Sequence, residues 1–211
     1  MCKYDMEDYE NALPDFNKAI ELKEDDGYFY WSGRCKYDME DYENALSDFN
    51  KALELKEDDS NFYWRGMCKF AMAKDEVAIL DFNKAVELDG ENLQFLRQRG
   101  ECFTQLMDWE NALNDYNKII QVEKNKSEDF YNRGWVKYAT EDYEDAVLDF
   151  NKAIELEDEN YEYYLHRGIS NHFCKNHETS LKDLEKAVSI ASKNNNDENV
   201  VYCQELIKKY K

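Results

Sequence analysis

The sequence predicts an all-α solenoid of stacked helix pairs, on three observations. Residues 8–22, DYENALPDFNKAIEL, recur as related segments starting at 41, 74, 108, 142 and 176, at steps of 33, 33, 34, 34 and 34. Glycines at 33, 66, 100, 134 and 168 keep the same step. Each period also holds two stretches with the 3.6-residue apolar spacing of a helix, separated by a short polar turn. A fixed period of this kind marks a supersecondary unit that buries its apolar face only against its neighbours.

The elements follow in order. Cys2 to Leu13 (CKYDMEDYENAL) repeats Cys35 to Leu46 letter for letter, so the first segment is expected to form the second helix of a pair. Only the last turn of a first helix precedes it, and Pro14 falls several residues in, where it removes one i→i−4 bond. A truncated or shortened unit is expected over 1–25. In the next unit, Tyr30, Gly33 and Tyr37 mark the first helix, and Ala45, Phe49, Ala52 and Leu55 the second. Asp41 is the expected N-cap, with Glu43 in the positively polarised first turn. Glycine inside a helix costs about 1 kcal/mol relative to alanine. Five in one register therefore imply close approach of the paired helix, with the Ala45-type residues as the small counterpart.

Single-domain organisation is expected, with full units at 26–58, 59–92, 93–126, 127–160 and 161–193. Asp75 stands where the other units carry an aromatic, so the third is expected to be locally looser. Val200, Val201, Cys203, Leu206, Ile207 and Tyr210 make 197–210 an amphipathic capping helix, which should cover the last unit and turn a polar face to water. Lys208, Lys209 and Lys211 suit its C-terminus.

Composition narrows the function classes. The 211 residues carry 27 Lys plus Arg against 47 Asp plus Glu, a formal net charge of −20. Affinity for a nucleic acid backbone comes largely from basic residues, so nucleic acid is an improbable partner, and an anionic membrane surface equally so. The aromatic content of 15% is too high for a disordered chain. No apolar run reaches the roughly 18 residues of a spanning helix, and the start has no apolar signal core. Cysteines at 2, 35, 68 and 102 follow the repeat period. That spacing, with Cys174 and Cys203 beyond it, reads as a small core residue rather than a disulfide framework, and implies reduced thiols in the cytoplasm.

The period and pattern resemble the tetratricopeptide repeat (TPR) family, a 34-residue helix–turn–helix unit. The signature maps onto Gly33/Ala45/Phe49/Ala52, Gly66/Ala78/Phe82/Ala85, Gly100/Ala112/Tyr116/Ile119, Gly134/Ala146/Phe150/Ala153 and Gly168/Ser180/Leu184/Ala187. Tyr9, Tyr42, Trp109 and Tyr143 follow the inter-helix turn. The family's proline after the second helix is missing. Its leucine before the glycine is replaced by Ser32, Arg65, Arg99, Arg133 and Arg167. Those arginines either snorkel over the core or pair with Asp48, Asp81, Asp115, Asp149 and Asp183. The resemblance implies a right-handed superhelical solenoid of antiparallel helix pairs, the first helices lining a concave groove.

The family's groove positions fall here on Tyr30, Trp31, Arg34 and Tyr37, then Tyr63, Trp64, Met67 and Phe70. Arg97 lies in the polar unit 93–126, Tyr131, Asn132, Trp135 and Tyr138 in the next, and His172 in the last. Aromatics on that face would give rigid amphipathic contact area to a peptide or helix. The acidic remainder favours a basic or aromatic-rich protein partner. The chaperone-type carboxylate clamp is not matched, since Asn132 and Arg97 agree in type but not in combination.

Chemistry is sparse. His166, His172, Cys174 and His177 form the one cluster of metal-ligating residue types, but they straddle a helix and its turn, where four tetrahedral ligands converge poorly. The acidic runs 24–26, 57–59 and 157–159 read as solvated loops at helix C-termini, with no calcium-loop pattern. The expected function is a non-catalytic adaptor or scaffold without cofactor, binding a peptide or protein segment in its groove. The alternatives are a self-associating structural spacer and a metal protein using the His166–His177 cluster.

Overall fold

The computed structural model describes residues 9–211, and the turn expected at residues 2–8 lies outside them. The described residues form twelve helices in two compact units divided between Met107 and Asp108. The first unit holds α1 (Tyr9–Leu22), α2 (Asp26–Asp38), α3 (Tyr42–Leu55), α4 (Asp59–Ala71), α5 (Asp75–Leu88) and α6 (Leu93–Gln105). The second holds α7 (Trp109–Val122), α8 (Ser127–Ala139), α9 (Tyr143–Leu156), α10 (Tyr161–Phe173), α11 (His177–Lys193) and α12 (Asp197–Tyr210). Within each unit every helix packs on those before and after it in the chain. The even-numbered helices α2 to α10 are the first helices of the hairpins and each has 13 residues.

Two backbone devices shape each hairpin. The turn residue after the first helix takes a left-handed conformation at Glu40, Ala73, Glu141 and Lys175. The next amide then donates back to a last-turn carbonyl: Asp41 to Lys36 at 2.8 Å, Lys74 to Lys69 and Asp142 to Lys137 at 2.9 Å, and Asn176 to Asn171 at 2.8 Å. Glycine usually fills such a position, and its absence hides the turn from a reading of residue types. The acidic runs have a role the sequence did not disclose. Asp25 and Asp58 are N-caps of α2 and α4, accepting from the Gly27 and Ser60 amides at 3.2 and 3.1 Å. They stabilise the helix that follows rather than opposing the one before. Asp41 caps α3 as expected.

The glycines do admit a close neighbour, but it is the aromatic sixteen residues on rather than the alanine twelve on. A Cβ at Gly33 would stand 2.9 Å from the Phe49 ring, one at Gly66 2.8 Å from Phe82 and one at Gly134 2.9 Å from Phe150. Those rings are fully buried, with no room to retreat. At Gly168 the neighbour is Leu184, and Ser180, in the alanine position, donates its hydroxyl to the Gly168 carbonyl at 2.7 Å.

The arginines pair rather than snorkel. Arg65 grips both oxygens of Asp81 at 2.9 and 2.6 Å and gives its third nitrogen to Asn50 on α3 at 3.1 Å. Arg133 holds Asp149 and Asn117, and Arg167 holds Asp183 and Asn151, in the same pattern. A lysine in the next turn adds a second cation, with Lys69 on Asp81 at 2.7 Å and Lys137 on Asp149 at 2.9 Å. Each arginine thus joins its own hairpin to the previous one. Ser32 cannot, and Asp48 is left to Lys36 at 2.6 Å.

The last helix covers α11 and buries Cys203 and Leu206 against Leu165, Ile169, Leu184 and Ala187. Its outer face is less polar than expected, because Val201 and Tyr202 are exposed there. Asp75 opens a helix without a side-chain cap, a feature shared by α8, α9 and α11. The α5 N-cap is Lys74, which makes no side-chain hydrogen bond to the helix.

Two stability outcomes follow. Gly66→Ala gains helix propensity but drives a methyl into Phe82, so unfolding free energy should drop by about 1–2 kcal/mol in a urea titration. Arg133→Met leaves the buried Asp149 with Lys137 alone and removes the bond to Asn117. Because the arginine is partly exposed, the expected loss is about 2–3 kcal/mol, below that for a fully buried pair.

Candidate functional site

The expected first-helix residues of the first unit gather into one aromatic cluster around a cation. The Arg34 guanidinium lies 3.6 Å over the Trp64 ring and donates to the Tyr30 hydroxyl at 3.4 Å. It also stands 3.8 Å from Asp38, so its charge is already shared within α2. Tyr37 meets Trp64 edge-on at 5.1 Å, and Tyr30 meets Trp31 edge-on at the same distance. Trp31 is 38% exposed and Trp64 half-buried. The α2 residues of the cluster lie between Tyr30 and Asp38, and Trp64 comes from the neighbouring first helix α4, which packs against α2.

Not every candidate keeps surface to offer. Tyr63 is 3% exposed, stacked on Phe95 at 4.9 Å, and its hydroxyl accepts from Gln94 at 3.2 Å. Its ring joins α4 to α6 and is a packing residue. Phe70 lies edge-on to Phe82 at 6.3 Å, and Met67 and Arg97 are half-buried. Burial pushes the Tyr37 and Tyr63 phenols up to about 12, so both stay neutral.

In the second unit Tyr131, Asn132, Trp135 and Tyr138 are half-buried on α8. Trp135 packs 6.0 Å from Trp109, and Tyr138 packs 5.8 Å from Tyr143. The Tyr131 ring lies 5.0 Å from Tyr163 and its hydroxyl 3.3 Å from His166 Nδ1. That nitrogen is also 3.0 Å from the Glu162 carbonyl oxygen, which can only accept, so Nδ1 carries the proton. His172 stacks face to face on Tyr210 at 3.6 Å, which fastens α12 to α10, and His177 lies 5.2 Å away.

The geometry offers the metal alternative no support. Among the described residues no three of His, Cys, Asp and Glu are grouped to hold a metal ion. His166 is turned to Tyr131 and Glu162 within the packing, while His172 is covered by Tyr210. Nor are the core cysteines poised for chemistry. Burial pushes the Cys68 and Cys102 thiols up to about 12, far from the thiolate a nucleophile requires. Among the described residues no helix is long and apolar enough to cross a membrane.

The hairpins, their glycine–aromatic contacts and the stacking of like units define a helical repeat protein. The tetratricopeptide repeat family matches residues 1–26, 27–59 and 130–160. Over those segments the chain is similar to tetratricopeptide repeats. The fold is similar to the C-terminal part of a TPR repeat-containing protein from Cytophaga hutchinsonii. There the TM-score is 0.81 at 22% identity, over 99% of this chain and 84% of that one. It is similar also to YrrB, described as a TPR protein with an unusual peptide-binding site, at TM-score 0.79 and 21% identity over 90% and 97% of the two chains. The TPR2AB domain of yeast Sti1, in its pHSP90 complex, gives 0.53 at 21% identity over 99% and 94%. Identities this low carry the fold and not the ligand. No curated protein matched the sequence.

Burial holds the His166 imidazole below the usual histidine range. His172 is lowered too, by burial first and then by His177 and Lys209. Both take up a proton less readily in the fold than in the unfolded chain, where histidine titrates near pH 6.5, so falling pH favours unfolding. Stability should be full above about pH 7 and fall as the pH drops through about 6.5, the range in which the unfolded histidines protonate. His166→Phe should flatten much of that slope in denaturant midpoints measured across the window.

Proposed function

We propose that this chain is a non-catalytic protein-binding module, holding an extended peptide or protein segment against the first helices of its hairpins. The observation that carries the reading is the Trp31–Arg34–Trp64 cluster of the first unit. It combines an exposed indole with rigid edge-on aromatics and a cation prepositioned over a ring. Such groups bury large area at little side-chain entropy cost. Proteins built from these repeats generally mediate protein–protein interactions, and the peptide-binding description of YrrB and the Sti1 complex agree with that general role.

The net charge of −20 supports a partner with basic groups flanking an apolar or aromatic stretch. Nucleic acid and anionic membrane are poor partners by the same argument. Cys35, Cys68 and Cys102 occupy one buried core position of successive units, which supports a reducing, cytoplasmic setting.

Partners captured from native lysate on the wild-type chain and on Trp31→Ala/Trp64→Ala, quantified by mass spectrometry, test the reading. Circular dichroism should show the variant folded. A genuine partner should fall by about tenfold or more on the variant, the scale expected for aromatic anchors. Equal recovery on both proteins would remove the first-helix face from the mechanism. A chain that elutes as a concentration-dependent dimer and captures nothing would favour the structural scaffold.

A further inference from the structure

The second helix of the third unit departs from its siblings on the side facing away from the core. Val77, Leu80 and Leu88 are 43%, 64% and 48% exposed and follow one another at +3 and +8 along a single stripe of α5. Elsewhere the first two positions carry Asn11 and Pro14, Asn44 and Ser47, Asn111 and Asn114, Asp145 and Leu148, or Thr179 and Lys182. Only α5 is apolar at both.

The departure also forfeits local stability. Asn44 and Asn111 donate their amides to the capping aspartates Asp41 and Asp108 at 2.9 and 2.8 Å. Val77 can make no such bond, and Lys74 caps nothing. α9 and α11 also lack a side-chain cap bond, so what sets α5 apart is its apolar outer face, while its buried face keeps the repeat pattern through Ala78, Phe82 and Ala85.

We propose that this stripe of α5 docks a basic amphipathic helix of a partner protein. The charges around it select the occupant. Glu76 and Glu87 are exposed beside the stripe, Glu91 follows its end, and the intervening Lys84 is already held by Glu87 at 3.0 Å. A second copy of this chain would bring acid against acid. A helix with leucine-type anchors at matching spacing and lysines on its flanks meets both the apolar row and the field around it. The stripe spans twelve residues, about 16 Å from end to end, or three turns of the incoming helix. This site is separate from the first-helix face and does not depend on it.

A labelled amphipathic Leu/Lys helical peptide and its Leu/Glu counterpart, titrated into the full chain by fluorescence anisotropy, provide the test. Val77→Asn/Leu80→Ser installs the residues α3 carries at these positions and should leave the fold intact by circular dichroism. The Leu/Lys peptide should bind the wild type, lose about tenfold or more in affinity on that variant, and be unaffected by Trp31→Ala/Trp64→Ala. The Leu/Glu peptide should bind at least about tenfold more weakly. No binding of the Leu/Lys peptide, equal affinity on the α5 variant, or equal binding of the acidic peptide would overturn the proposal. So would a dimer, seen by sedimentation, that dissociates on the same substitutions, since the occupant would then be a second copy.

Discussion

A guanidinium shared between consecutive hairpins is the interaction on which the stacking at Arg65, Arg133 and Arg167 depends. Arg65, Arg133 and Arg167 each satisfy both oxygens of a buried aspartate on their own second helix and reach an asparagine on the previous one. The planar, bidentate fork fixes direction as well as distance. A point charge on a flexible stem could neutralise Asp81 but could not simultaneously orient Asn50. The repeated Asp-aromatic-Asn run therefore encodes stacking. Its aspartate serves the hairpin, its aromatic fills the space beneath the glycine, and its asparagine serves the joint.

This arrangement decides what each face of a unit can offer. Because the arginine and the following lysine are drawn into the second helix, the aromatics on the other side of the first helix are left to meet one another. Around Arg34 they form edge-on pairs with exposed area. At Tyr63 the same register position is consumed by packing on Phe95. Equivalent positions in a repeat are therefore not functionally equivalent, because the neighbouring unit determines whether a ring is covered.

The second helices show the complementary rule. Their outer positions are usually polar, and at Asn44 and Asn111 they bond the capping aspartate. The third unit departs from this without loss of its buried Ala78, Phe82 and Ala85. An apolar stripe retained on an otherwise acidic surface weakens capping and adds exposed hydrophobic area. Both effects are accounted for if a partner covers it.

Much of the fold could be read from the sequence because a stacking period is a linear property. The four full hairpins that lie within one compact unit, the capping helix at Asp197–Tyr210 and the cap at Asp41 all follow from the spacing of glycine, small residues and aromatics. The aromatic character of the candidate face was legible for the same reason. What only the tertiary structure decided are relations between residues far apart in the chain. The choice of pairing over snorkelling for the arginines depended on Asp and Asn side chains sixteen and fifteen or sixteen residues away. The caps at Asp25 and Asp58 depended on where the next helix began, and the glycine's true neighbour on how the hairpin closed. Burial of Tyr63, covering of His172 by Tyr210 and exposure of the α5 stripe depend on what lies against each side chain. Residue spacing specifies a helix and its faces, whereas coverage of a face is a property of the neighbours that three-dimensional packing brings to it.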